Sequence, residues 1–278
     1  MGSTTIPSSS TAAPTLGWRG SGRHAKWRWP VRLGALAGAV ALLYPFSGLG
    51  APVGAWQWGG GAGSDARAAV GVSLLLTALA MGVVVAVGTP LAVYIRRAER
   101  WERLAWQGAL LLSMLLPALA LGILLTLSLR PEGAVGSVLW RLGVVTTNSS
   151  AAFVITQIYV SIGYYVLAAV AALDAVPAGM EEQAALLGLR PRQVFARVTL
   201  PLALSGLAVA LSLAWARAIG EFGAVVVTAY YPAGMPVQLW VDLQSRGLGA
   251  VMPLLLIFLL VALPLPLAAH LLARRRRA

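Results

Sequence analysis

Few residues of this chain could bind, react or hold charge, and they are unevenly placed. Arg217 stands alone inside a long apolar segment, with Glu221 four residues on. On a helix that spacing puts both side chains on one face, where they can neutralise each other. Counted from Leu202, Arg217 lies about 22 Å along such a helix, close to mid-membrane if the segment spans a bilayer. A charge at that depth faces a cavity, a pore or a partner charge. Two readings follow: an ion pair that locks neighbouring helices, or a polar lining or gate element. Gly220 and Gly223 allow a close backbone approach or a bend, and suit either reading. The hydroxyls of Ser212, Thr228, Tyr230 and Tyr231 could donate to an anion without holding it tightly.

The other polar concentration is Glu181 to Pro201, EEQAALLGLRPRQVFARVTLP, an arginine-bearing island between two apolar segments. Elsewhere chemistry is mostly excluded. Without cysteine there is no disulfide, thiolate nucleophile or cysteine-held metal. His24 and His270 lie outside or at the end of the apolar segments and have no converging ligands, so no metal site is expected. A phosphate-binding loop needs a lysine after its glycine-rich turn, and the only lysine, Lys26, is in the N-terminal tail. No catalytic residues and no cofactor are expected, so the chain reads as a non-enzyme.

The elements that must carry these residues follow from composition. Of 278 residues, 59% are hydrophobic and 11% charged, with mean hydropathy +0.79. Such a chain is solvated by lipid rather than by its own polar surface. A bilayer core of ~30 Å takes about 20 residues of apolar helix. Six stretches qualify: 31–49, 68–95, 107–129, 150–173, 202–230 and 250–272. The expected fold is all-α and polytopic, with six transmembrane helices in a domain over 31–273. Residues 1–30, rich in Ser, Thr, Pro and Gly before a basic cluster, read as a disordered cytoplasmic tail.

Arginine placement sets the orientation. With the N-terminus cytoplasmic, sixteen basic residues fall inside, in the tail, at Arg96–Arg103, at Arg190–Arg197 and at Arg274–Arg277. Four fall outside, namely Arg67, Arg130, Arg141 and Arg246. That bias predicts both termini in the cytoplasm and a multi-pass protein of the plasma or inner membrane. The net charge of +12 is spread along every cytoplasmic edge, where anionic lipid headgroups account for it. It is not gathered on one domain with interleaved aromatics, so nucleic acid is not an expected partner.

This topology makes 174–201 a cytoplasmic loop. Pro177 ends the preceding helix. Met180 to Leu187 reads as a short helix whose Glu181 and Glu182 suit the positive end of its dipole. Gly188 permits a turn, and Pro191 can open a second short helix. Two short helices joined by a glycine turn form a rigid knob.

The loop resembles the E-A-A, three residues, G, nine residues, I-x-L-P loop in permease subunits of ATP-binding-cassette importers. Here it reads Glu182-Gln183-Ala184, three residues, Gly188, nine residues, Val198-Thr199-Leu200-Pro201. Glutamine replaces the first alanine and valine the isoleucine. The resemblance implies the type I importer permease fold and a coupling loop, Glu181, Glu182, Ala184, Gly188 and Pro201, that docks on a separate ATPase. It also implies two ATPase copies, a homodimer whose pore lies between the copies, and an extracytoplasmic substrate-binding protein.

The segment from Arg217 through Gly220-Glu221-Phe222-Gly223-Ala224 resembles permeases for tetrahedral oxyanions. Its continuation to Ala229-Tyr230-Tyr231-Pro232 and Met235-Pro236-Val237 most resembles tungstate/molybdate permeases. The expected cargo is therefore tungstate or molybdate, with sulfate, thiosulfate or another small solute as the alternative. An ion-coupled secondary carrier is a further alternative. It would need intramembrane acids for coupling, and the six stretches hold only Glu221, one turn from an arginine.

Overall fold

The computed structural model describes residues 24–50, 56 and 61–275. The chain divides near residue 53 into two units. In the first, helix α1, His24–Leu43, is followed by a 3-10 stretch, Tyr44–Gly50. Pro45 lacks the N–H that would extend the α-helical ladder, which accounts for the change in winding. Together they give an apolar stretch, Val31–Gly50, long enough to span a bilayer. Its helix begins at His24, inside the segment 1–30 expected as a disordered tail; residues 1–23 lie outside the described residues.

In the second unit the order is α2 (Gly61–Arg97), α3 (Arg100–Leu115), α4 (Ala118–Leu129), α5 (Gly136–Arg141) and α6 (Ser150–Asp174). Then come α7 (Ala178–Leu186), α8 (Pro191–Val194), α9 (Leu200–Ile219), α10 (Val225–Thr228), α11 (Met235–Arg246), α12 (Leu248–Ala262) and α13 (Pro264–Arg275). No strand occurs among the described residues. By length and composition, five segments of the chain can cross a membrane, or six if the bent pair α3–α4 is one span.

The core is where α2, α6 and α9 meet. Ala80, Val84 and Ala92 of α2 pack there with Val166, Ala169 and Leu173 of α6 and Ala203, Ala210 and Ala214 of α9, all buried. In lipid there is little hydrophobic drive between helices, so close van der Waals contact between small side chains has to hold them. Gly206 shows how close: a Cβ added there would sit 2.5 Å from the Cβ of Ala172. Any larger residue at Gly206 would separate α9 from α6.

Two expected spans are broken and a third is nicked, each at a proline or glycine. The stretch 107–129 is two helices bent by 107°. Pro117 drives Leu116 into extended backbone and caps α4. The stretch 202–230 is not one helix, because α9 ends at Ile219 with Gly220 as its C-cap, and α10 restarts at Val225. The stretch 250–272 divides at Leu263–Pro264. The segment after the fifth stretch, expected as a plain outer loop, contains α11. This helix buries Met235, Val237, Gln238 and Asp242 on one face, and Gly247, at φ +82°, separates it from α12.

Candidate coupling knob and intramembrane ion pair

The island folds into two short helices around a glycine turn. Pro177 caps α7, and Gly188 takes φ +86°, where a side chain is strained. A Cβ at Gly188 would meet nothing within 4 Å, so its requirement is conformational. Pro191 opens α8, and Gln193 accepts from the Arg190 backbone N–H at 2.8 Å. The chain then widens into one turn of π-helix, Phe195–Thr199, before α9. Winding runs unbroken from Pro191 through the π turn into α9, and Pro201 follows just after that turn.

The two adjacent glutamates of the knob part company. Glu182 is exposed. Glu181 accepts from Arg96 at both oxygens, 2.8 and 3.2 Å, and from the Thr199 hydroxyl at 2.5 Å. Burial raises the Glu181 carboxyl, but the hydrogen bonds from Arg96 and Thr199 and the charges of Arg96 and Arg97 outweigh it. The net position lies below the ordinary carboxylate value. Ala184 faces inward, whereas Leu186 and Leu187, at the tip beside Gly188, are 87% and 82% exposed. The two leucines stand side by side at the tip of the turn.

The intramembrane pair is built differently from the expectation that both side chains share a helix face. Arg217 is in the last turn of α9, where a cation suits the negative end of the dipole. Glu221 lies beyond the helix. One carboxylate oxygen receives Arg217, and the other accepts from the Ala224 N–H at 2.6 Å. Glu221 therefore ties the end of α9 to the turn that opens α10. Its residue is 3% exposed, and the Arg217 guanidinium lies 6.0 Å from the Tyr164 ring centroid of α6. α4 closes over this turn: a Cβ on Gly122 would fall 2.9 Å from the Ala224 carbonyl oxygen, and one on Gly223 2.8 Å from the Ala118 Cβ.

Two of the four other expected donors are committed. Ser212 donates to the Val209 carbonyl at 2.8 Å, and Thr228 bonds both Thr156 and the Ala224 carbonyl. Tyr230 and Tyr231 are exposed at 48% and 70%.

Several residues now stand out that motif reading did not single out. Arg96 entered only the charge count and Thr199 only the spacing, because contacts made 85 and 18 residues apart leave no local signal. Asp242 was passed over. It is 1% exposed, receives Gln238 at 3.0 Å and Arg246 at 3.1 Å, and Arg246 also reaches Asp65 at 3.0 Å. The helical spacing of Met235, Gln238 and Asp242 between two glycines was a usable signal. No group of three or more potential metal ligands occurs among the described residues.

Known proteins fit this geometry. A probable molybdenum ABC transporter permease protein of Haloferax volcanii is 37% identical over 192 residues, 68% of each chain. The molybdate/tungstate transport system permease protein WtpB of Thermococcus kodakarensis is 27% identical over 196 residues, covering 70% of this chain and 74% of that one. Among solved structures, a bacterial ABC transporter involved in import of the acidic polysaccharide alginate matches with TM-score 0.68. That match is 19% identical and covers 91% of this chain and 97% of the other. The fold is thus that of type I ABC importer permeases. The family described as binding-protein-dependent transport system inner membrane component matches residues 85–278. This chain therefore belongs to that family of inner membrane transport components.

Proposed function

We propose that this chain is the pore-forming permease subunit of an ATP-driven importer for molybdate or tungstate. The knob carries the proposal: E-x-A-x3-G-x9-V-x-L-P spacing, a left-handed Gly188 and exposed Leu186 and Leu187 make a surface suited to an ATPase cleft. The names of relatives in two organisms support the cargo. The chain does no chemistry. Two copies enclose the pore, two ATPase subunits sit on the cytoplasmic knobs, and an extracytoplasmic binding protein delivers the anion. Positive-inside bias supports cytoplasmic termini and knob. Selection then falls to the binding protein, since tight binding in the pore would slow release.

Within this reading Arg217 and Glu221 are a structural lock, because both carboxylate oxygens are engaged and the pair closes on itself. An ion-coupled carrier is disfavoured, because the buried acids Glu221 and Asp242 each hold an arginine.

The test is uptake into proteoliposomes containing this chain, its ATPase and its binding protein. Labelled molybdate should enter only with ATP, and unlabelled tungstate should compete better than sulfate. Preferential competition by sulfate would move the cargo to the sulfate class. Uptake driven by an ion gradient without ATP would reject the importer.

A further inference from the structure

Glu181 is where several helices are tied together. Arg96, in the last turn of α2, grips both of its oxygens, and Thr199, at the head of α9, donates to one of them. The Arg96 Nε also lies 3.9 Å from Asp174, the last residue of α6, and Asp174 receives Arg103 of α3 at 2.5 Å. The ends of α2, α3 and α6 and the start of α9 thus meet α7 through one chain of charges. Among the described residues, the side-chain hydrogen bonds that join α7 to another element are the three on Glu181. Beside it, Glu181, Ala185, Leu189, Pro191 and Val194 of the knob line an open groove of about 240 Å³ that Arg97 of α2 borders.

The local backbone agrees. Consecutive residues of a helix are turned by about 100°, so Glu181 faces the bundle while Glu182 faces outward. The π turn ends on Thr199, the residue that donates to Glu181. Isolated π turns persist where neighbouring contacts hold them, often at functional sites. Charge-assisted, bidentate arginine–carboxylate bonds fix direction as well as distance, as transmission of a push requires.

We infer that Glu181 is a positioning residue for transport: through Arg96 and Thr199 it passes displacement of the knob to the cytoplasmic ends of α2 and α9. The inference rests on the reading of the knob as the ATPase-coupling element. Glu181 holds the lever, and the exposed Leu186 and Leu187 meet the partner.

The test measures ATP hydrolysed and molybdate taken up in the same proteoliposomes, holding the complete transporter, with ATPase retention scored by affinity co-purification. Glu181→Gln should keep the ATPase bound while uptake per ATP falls about tenfold, within the usual range of coupling between sites. Thr199→Val should give a smaller fall, and Arg96→Lys should retain more coupling than Arg96→Gln. An unchanged ratio in Glu181→Gln and Thr199→Val, with the wild type coupled, overturns the inference alone. Loss of the bound ATPase in Glu181→Gln and Thr199→Val also overturns it, by making Glu181 a docking residue. A wild-type complex in which hydrolysis and uptake are unlinked overturns the coupling reading and the inference together.

Discussion

The chain contains two arginine–glutamate pairs that look alike on paper and do opposite things in space. Arg217 and Glu221 are four residues apart and close on one another, with the Ala224 N–H completing the site at the end of a single helix. Arg96 and Glu181 are 85 residues apart and join the end of one membrane helix to a knob outside the bundle. In the first only the acid is dry, with Glu221 2% and Arg217 29% exposed; in the second both side chains are partly wet, with Arg96 16% and Glu181 26% exposed. A local, buried pair stabilises one fixed turn. A long-range pair at the edge ties two separate elements to each other. Position in the fold decides the role.

The comparison breaks first at the buried pair, where the largest effect is expected. Removing one partner leaves an uncompensated charge in a dry site, at about 3–5 kcal/mol. Arg217→Ala, which strands the buried Glu221, should lower stability by that order in detergent denaturation; Glu221→Ala, which strands the partly exposed Arg217, should cost less, and the double variant should recover part of the larger loss. Independent, additive losses would show that the two do not act as a pair.

Next comes the glycine that shapes the knob. Placing a β-branched residue in left-handed backbone costs about 1–2 kcal/mol. Gly188→Val should therefore distort the tip and abolish uptake while membrane insertion stays normal, whereas Gly188→Asn, which tolerates that backbone, should transport. Equal loss in both variants would point to crowding at the tip rather than to backbone conformation.

A smaller, pH-dependent effect should mark the edge pair. The Glu181 carboxyl is held below its ordinary value, so the clamp stabilises the fold fully above that value. The contribution is lost as the pH falls through the lowered folded value. The stability gap between wild type and Glu181→Gln should thus shrink on acidification below the ordinary carboxylate range. A gap independent of pH would mean that the charge of Glu181 is idle.

The smallest expected effect lies inside the core, where the Thr156 and Thr228 hydroxyls meet at 2.8 Å. Thr156→Val should cost about 1 kcal/mol, the usual worth of one buried hydrogen bond. A loss as large as that at Glu221 would erase the distinction between a neutral contact and a charged one.

What could be read from sequence was what depends on local order. Apolar runs marked the helical segments, and the glycine–proline spacing from Glu182 to Pro201 marked the knob with its turn at Gly188. Breaks were harder. Pro117 and Gly220 were visible, yet a single proline or glycine inside an apolar run can bend a helix or end it, and neighbouring packing decides which. Here α4 and the turn after α9 lock together through Gly122 and Gly223, so the breaks are part of one contact. Partners distant in sequence were not legible at all. Nothing near Arg96 names Glu181, and nothing near Arg246 names Asp65.

The most direct measurement of the whole account is ATP-driven molybdate uptake by proteoliposomes holding the complete transporter, comparing wild type with Gly188→Val. The account predicts ATP-dependent uptake by the wild type, and none by the variant although its complex assembles. Equal uptake by the two, or uptake that persists without the ATPase, would contradict it.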